Sequence, residues 1–187
     1  MVRKLAHGWL HGWLIAGLIL MWLVMPAQAE STKADITLTP GTLSIAGAPQ
    51  IQFGTKSSTG SNQVYSSATV SPGLQIEDSG SSSGAWRVMI TASPFATTDG
   101  TLLKGVTLAF DQVGVTGNAT ATNKVTTNAV SLSANNEAAT IMQASENLPA
   151  NTWTAAYQPA DVSLTVPGGN VNGQYTATLT WTVINGE

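Results

Sequence analysis

The stretch GQYTATLTWTVINGE, residues 173–187, alternates apolar and polar side chains almost without a break. In an extended chain successive side chains point to opposite faces. Tyr175, Ala177, Leu179, Trp181 and Val183 therefore share one face, and Thr176, Thr178, Thr180 and Thr182 line the other. A period of two with one polar face marks a half-buried strand of an antiparallel sheet. The same pattern recurs upstream. In 85–91, Trp86, Val88 and Ile90 point one way and Arg87, Met89 and Thr91 the other. In 105–111, Val106, Leu108 and Phe110 share a face, as do Val162, Leu164 and Val166 in 161–166.

Between these runs the chain is rich in Gly, Pro, Asn and Ser turns, and no amphipathic helical stripe of useful length is found. Further short strands are expected at 35–39, 42–46, 50–54, 73–77, 139–144 and 152–156. Residues 55–63 and 78–84 read as loops, and 118–136 as a weak strand with loops. The expected fold is all-β, an antiparallel β-sandwich in one domain, with apolar faces meeting inside.

The first 29 residues are of another kind. Arg3 and Lys4 precede an apolar run from Leu14 to Met25, followed by Pro26 and then Ala27-Gln28-Ala29. A basic start, a short apolar core and small residues at −3 and −1 make a secretory signal peptide, cleaved after Ala29. An uncleaved anchor is the competing reading, but this run is shorter than the roughly 20 residues a helical span needs. The expected organisation is thus 1–29 as signal peptide and 30–187 as the β domain, with no stable membrane anchor after cleavage.

Removal of the signal takes away His7 and His11, the only histidines, and the chain has no Cys. Five cations (Lys33, Lys56, Arg87, Lys104 and Lys124) remain against ten acids, a formal net charge of −5. So acidic and sparse a charge set gives no electrostatic reason to bind nucleic acid. Export without disulfides leans towards a bacterial, Gram-positive surface. No lipid-bearing Cys follows the cleavage site and no hydrophobic tail closes the chain, so attachment to a cell is expected to be non-covalent.

Nucleophilic catalysis of the Ser-His or Cys-His type needs a base that this chain lacks. Zinc sites of the usual nitrogen and sulfur type are excluded for the same reason. Glu77 and Asp78 are adjacent, so on a strand they face opposite sides, and both read as solvated turn acids. Asp78 and Asp99 are loop acids without EF-hand spacing. The expectation is no enzyme, no metal and no cofactor. The aromatic residues remain: Trp86, Trp153 and Trp181, two of which head the same tripeptide shape, Trp86-Arg-Val88 and Trp181-Thr-Val183. Each Trp is open to two readings, sandwich core or an aromatic surface for sugar rings or peptides.

The segments ADITLTPGTLSI (34–45), GLQIEDSGSSSGAWRVMITASPF (73–95), LLKGVTLAF (102–110) and YTATLTWTV (175–183) resemble the WxL-domain family of Gram-positive surface proteins. That family has one Trp-x-Leu near its middle. It has a second at the C-terminus within Tyr-x-x-x-aliphatic-Thr-Trp-x-Leu-x-x-x-Pro. Tyr175, Leu179, Thr180 and Trp181 match the second motif and Trp86 the first. Val88 and Val183 replace the two Leu residues, and Glu187 stands where Pro would be. The resemblance implies a secreted, non-enzymatic module held at the cell wall by peptidoglycan or an associated wall polymer, in company with other cell-surface proteins. Trp86, Val88, Tyr175, Leu179, Trp181 and Val183 would then form or support the binding surface. Two other readings stay open: a partner-binding subunit that offers an exposed strand edge, and a wall hydrolase, which the missing His and Cys disfavour.

Overall fold

In a computed structural model the described residues are 41–57, 59–80, 85–117, 125–146 and 148–186, and they lie in one unit, Thr39–Glu187. The expected signal peptide (1–29), the strand at 35–39, the end of the 78–84 loop and residues 118–124 lie outside the described residues.

The runs of alternating residues form strands. In chain order these are β1 Leu43–Gly47, β2 Gln50–Gln52, β3 Gln63–Ser66, β4 Thr69–Ser71, β5 Leu74–Asp78, β6 Trp86–Ala92 and β7 Thr107–Phe110. They continue with β8 Val115–Thr116, β9 Val125–Thr127, β10 Val130–Leu132, β11 Ala139–Ala144, β12 Asn151–Ala155, β13 Val162–Val166 and β14 Leu179–Asn185. Three four-stranded antiparallel sheets run β1-β5-β12-β8, β10-β7-β13-β3 and β14-β6-β11-β9, and β2 pairs with β4 in a separate ribbon. The fold is all-β and consistent with a sandwich. Among the described residues the helical content is one 3-10 turn, Pro159–Asp161, closed by the Gln158 N–H donating to the Asp161 carboxylate at 2.7 Å.

The inward faces of the sheets meet in one core. Leu74 and Ile76 of β5, Val88 and Ile90 of β6, Leu108 and Phe110 of β7, Trp153 of β12 and Val162 of β13 are all buried. On β6 the burial follows the alternation read from the sequence, Trp86, Val88, Ile90 and Ala92 inward. On β11 it does not: Ile141 and Met142 are consecutive and both buried. A register shift between Thr140 and Met142 against β6 leaves Ile141 as an extra residue. Such a bulge lets two neighbours in sequence share one face.

Several expectations are corrected. Strand β3 begins at Gln63, the last residue of the expected 55–63 loop, and β4 lies in a stretch with no expected element, because four- and three-residue strands of mixed polarity carry little periodic signal. Of the expected weak strand and loops at 118–136, the described residues 125–136 hold two strands, β9 and β10. Asp78 is not a solvated turn acid: it is 1% exposed, on the inward face of β5 after Leu74 and Ile76, and accepts a hydrogen bond from the Gly80 N–H at 3.0 Å. Its partner acid in sequence, Glu77, is exposed on the opposite face, as alternation requires.

Trp153 packs directly across from Ile76 and is fully buried. Gly117 lies against its ring. A Cβ there would sit 2.8 Å from both Trp153 Cζ3 and Asn151 Nδ2, and closer still to Trp153 Cε3. Only glycine allows this approach of backbone to indole. Tyr157 follows two residues after β12, with its ring edge-on to Phe110 at 5.5 Å between centroids. Its hydroxyl is buried beside the Thr127 hydroxyl, which itself donates to the Val113 carbonyl at 2.6 Å and accepts from the Val113 N–H at 2.8 Å.

Two predictions follow from this packing. Gly117→Ala should cost about 1–3 kcal/mol, the usual range for overpacking a filled site, measured by denaturant titration. The second concerns alkaline pH. Burial, partly offset by the Thr127 hydroxyl, pushes the Tyr157 hydroxyl pKa above its ordinary value. A raised folded pKa means its contribution is intact below about pH 10, where unfolded tyrosine titrates, and declines as pH rises beyond that. Melting curves across this range should show Tyr157→Phe losing less stability than the parent; equal losses would contradict the burial argument.

Candidate functional site

The two Trp-x-Val segments, about a hundred residues apart in sequence, are neighbouring strands. β14 pairs with β6 in antiparallel register from Leu179 opposite Ala92 to Asn185 opposite Trp86. Within that ribbon Val183 lies directly across from Val88, and Trp181 across from Ile90. Cross-strand partners share a face, so Trp86, Val88, Leu179, Trp181 and Val183 all point to the same side. Antiparallel pairing places the two indoles towards opposite ends of the ribbon. They are four residue steps apart along the strand direction, about 14 Å at the usual rise.

Their environments differ. Trp86 is 2% exposed and Val88 fully buried, so both belong to the core. Trp181, Leu179, Val183 and Tyr175 are only half-buried. The position in the sheet accounts for the difference. β6 has a neighbour on each side, β14 and β11, whereas β14 ends its sheet. Trp181 meets Phe110 of β7 edge-on, with 6.0 Å between centroids and 84° between planes. Trp181, Phe110 and Tyr157 thus form a row of edge-to-face contacts that ties the third sheet to the second. Each such contact adds about 0.5–1.5 kcal/mol beyond the area buried. The Trp86 indole N–H, like that of Trp153, has no hydrogen-bond partner among the described residues.

Tyr175 lies before β14. The regular ladder was expected to run from 173 to 184, but it starts only at Leu179. The reason is in the opposing segment. Ser93 faces Thr178, with the Ser93 N–H donating to the Thr178 carbonyl at 2.9 Å, but the Thr178 N–H turns to the Ser93 hydroxyl at 2.8 Å. Beyond it Pro94 and Phe95 together stand against Ala177, one extra residue that bulges the chain and shifts the register. Pairing resumes at an isolated bridge, where Ala96 and Thr176 exchange two backbone hydrogen bonds of 2.9 Å. The Tyr175 hydroxyl donates to the Val171 carbonyl at 2.6 Å. Alternation nonetheless persists through the break, with Tyr175 and Ala177 half-buried and Thr176 and Thr178 exposed.

Two exposed apolar side chains near this end were not foreseen, Leu102 and Val171, 50% and 67% exposed. Their loops are tied together by Asn170, whose Oδ1 accepts from the Lys104 N–H at 2.8 Å and whose Nδ2 donates to the Lys104 carbonyl at 3.1 Å. The Leu102-Leu103 pair was the available signal, since on a strand-like segment only one of two adjacent leucines can face inward. Here Leu103 packs on the core and Leu102 faces out.

The motif face is apolar and aromatic. Arg87, the only charged residue on either motif strand, points to the opposite, exposed face. Asp99 lies elsewhere, in an exposed turn where the Thr97 hydroxyl holds its carboxyl below the usual pKa. Among the described residues no group of three or more His, Cys, Asp or Glu side chains converges as metal ligands would. What this arrangement offers chemically is contact area, ring stacking and backbone pairing.

The family model for the WxL domain, described as surface and cell wall-binding, matches residues 24–186. No curated protein and no solved structure matches the chain. The match spans both Trp-x-Val strands and every described strand between them. The chain belongs to the WxL-domain family of cell-wall-binding surface proteins.

Proposed function

We propose that this chain is a secreted, non-enzymatic protein that attaches to the wall of a Gram-positive cell by binding peptidoglycan, and that the half-buried face of β14 is its contact surface. The observation that supports this reading is the division of labour between the two motifs. Trp86 and Val88 are core, whereas Tyr175, Leu179, Trp181 and Val183 remain partly open on the end strand beside them. An indole packed edge-on against Phe110 is held in place while remaining partly exposed. A rigid, partly exposed aromatic supplies contact area at low entropy cost, which suits stacking on a sugar ring. The signal sequence ending at Ala27-Gln28-Ala29 supplies the export route, and non-covalent contact supplies retention.

A second reading is favoured by one feature. β14 ends its sheet, so one side of its backbone is without a strand partner among the described residues. A partner protein could add a strand there. Binding to a co-exported surface protein but not to bare peptidoglycan would select this reading.

The test is sedimentation of the purified chain from Glu30 onward with isolated peptidoglycan, alongside melting of each variant. Trp181→Ala is expected to cost about 1–2 kcal/mol of stability, less than full burial of a large apolar side chain would give. It should weaken wall binding about tenfold or more, as loss of an aromatic anchor does. Trp86→Ala should cost about 3–5 kcal/mol, as large-to-small changes in a core do, and should reduce binding only in proportion to the unfolded fraction. Unimpaired binding by a folded Trp181→Ala chain would overturn the assignment of the surface.

A further inference from the structure

Three places in this chain carry an Asn or Asp directly before Gly: Asp99-Gly100, Asn172-Gly173 and Asn185-Gly186. Such pairs are prone to spontaneous ring closure, because glycine has no Cβ to shield its backbone nitrogen from the preceding side chain. Closure requires that nitrogen to lose its proton and swing onto the side-chain Cγ. A hydrogen bond from the glycine N–H opposes both steps.

The structure separates the three. The Gly100 N–H donates to the Thr97 carbonyl at 3.0 Å, in a turn where Gly100 has φ of 86°. The Gly186 N–H donates to the Ala85 carbonyl at 2.8 Å, and Asn185 is held in β14 opposite Trp86. Among the described residues the Gly173 N–H makes no such bond, and residues 171–174 are four consecutive exposed residues. This span hangs between two fixed points. On one side Asn170 is anchored by its bonds to Lys104 and by its Nδ2 donating to the Pro167 carbonyl at 2.9 Å. On the other, Thr176 is bridged to Ala96. Within it the Tyr175 hydroxyl reaches back to the Val171 carbonyl. Asn172 therefore sits in an exposed span whose two ends are fixed.

We infer that Asn172 is a site of spontaneous deamidation in the folded protein, and that Asn185, with the same neighbour in sequence, is protected. The Gly173 nitrogen, its proton taken by hydroxide, forms a bond to Asn172 Cγ. The Cγ–Nδ2 bond breaks and the side-chain nitrogen leaves as ammonia after taking a proton from water. Water then opens the five-membered imide. Cleavage at the side-chain carbonyl leaves aspartate; cleavage at the main-chain carbonyl leaves isoaspartate. No electron transfer is involved and water is the only co-reactant. The product carries a new carboxylate three residues before Tyr175, and the isoaspartyl form lengthens the backbone by one carbon inside the Tyr175–Val171 hydrogen bond.

The test is timed incubation of the folded chain in mildly alkaline buffer, followed by proteolysis and mass mapping with isoaspartate detection. The expected result is steady conversion at Asn172, several-fold faster than at Asn185, with both sites converting at similar rates once the chain is unfolded in denaturant. Asn172→Gln, which retains an amide but needs a slower six-membered closure, should silence the site without altering melting. Gly173→Ala serves as a second variant, read with its own melting curve because the added carbon would sit 3.0 Å from Thr97 Cγ2. An inert Asn172, or Asn185 converting as fast in the folded chain, would overturn the inference.

Discussion

β6 and β14 lie side by side over seven residue pairs, and much of the described structure follows from that register. Side chains in a strand alternate with period two, so a slip of one residue would turn Trp181, Val183 and Leu179 to the solvent side and bring Thr180 and Thr182 inward. The register is held at both ends. Gly186 donates to the Ala85 carbonyl beyond one end, and the Ser93–Thr178 exchange and the Ala96–Thr176 bridge continue pairing past Pro94 at the other. With the ribbon fixed, β11 pairs on the far side of β6, and Trp181 reaches across to Phe110. The aromatic row through Phe110 to Tyr157 then joins the sheet of β14 to the sheet of β7.

Tryptophan serves two purposes here, and position in the sheet decides which. A residue on β6 is covered by strands on both sides, so Trp86 is buried even though its N–H finds no partner. Leaving a buried donor unpaired costs about 1–3 kcal/mol, which the apolar area of an indole can offset. Trp153 repeats the arrangement in the first sheet, with its ring closed by Gly117. Trp181 shares with Trp86 a Val two residues on, but it sits on the end strand and is only partly buried. The chain belongs to a family described as cell wall-binding, and the proposed contact is assigned to the partly exposed member of the pair.

The alternation at Trp86-Val88-Ile90, at Val106-Leu108-Phe110 and along Tyr175–Val183 was legible because period two is a local property of each run. So were the absence of His and Cys beyond the first residues and the resemblance carried by the two Trp-x-Val segments. What was not legible depended on the partner strand. Nothing within 173–187 reveals that an extra residue at Pro94-Phe95, some eighty residues earlier, shifts the register of its ladder. The inward turn of Asp78 follows from its register on β5, which turn-like neighbours concealed. That Val88 and Val183 face each other could not be read from either segment alone, because antiparallel pairing over such a separation is a property of the assembled sheet.

Of the three tryptophans in the chain from Glu30 onward, Trp86 and Trp153 are held in the core, and Trp181 is the one proposed to meet the wall ligand. NMR of the three indole N–H groups during titration with soluble peptidoglycan fragments, combined with their exchange in deuterated water, separates these roles. Rapid exchange and a ligand-dependent shift are expected for Trp181, with slow exchange and little shift for Trp86 and Trp153. Binding that shifts Trp86 or Trp153 while leaving Trp181 unmoved would contradict this assignment.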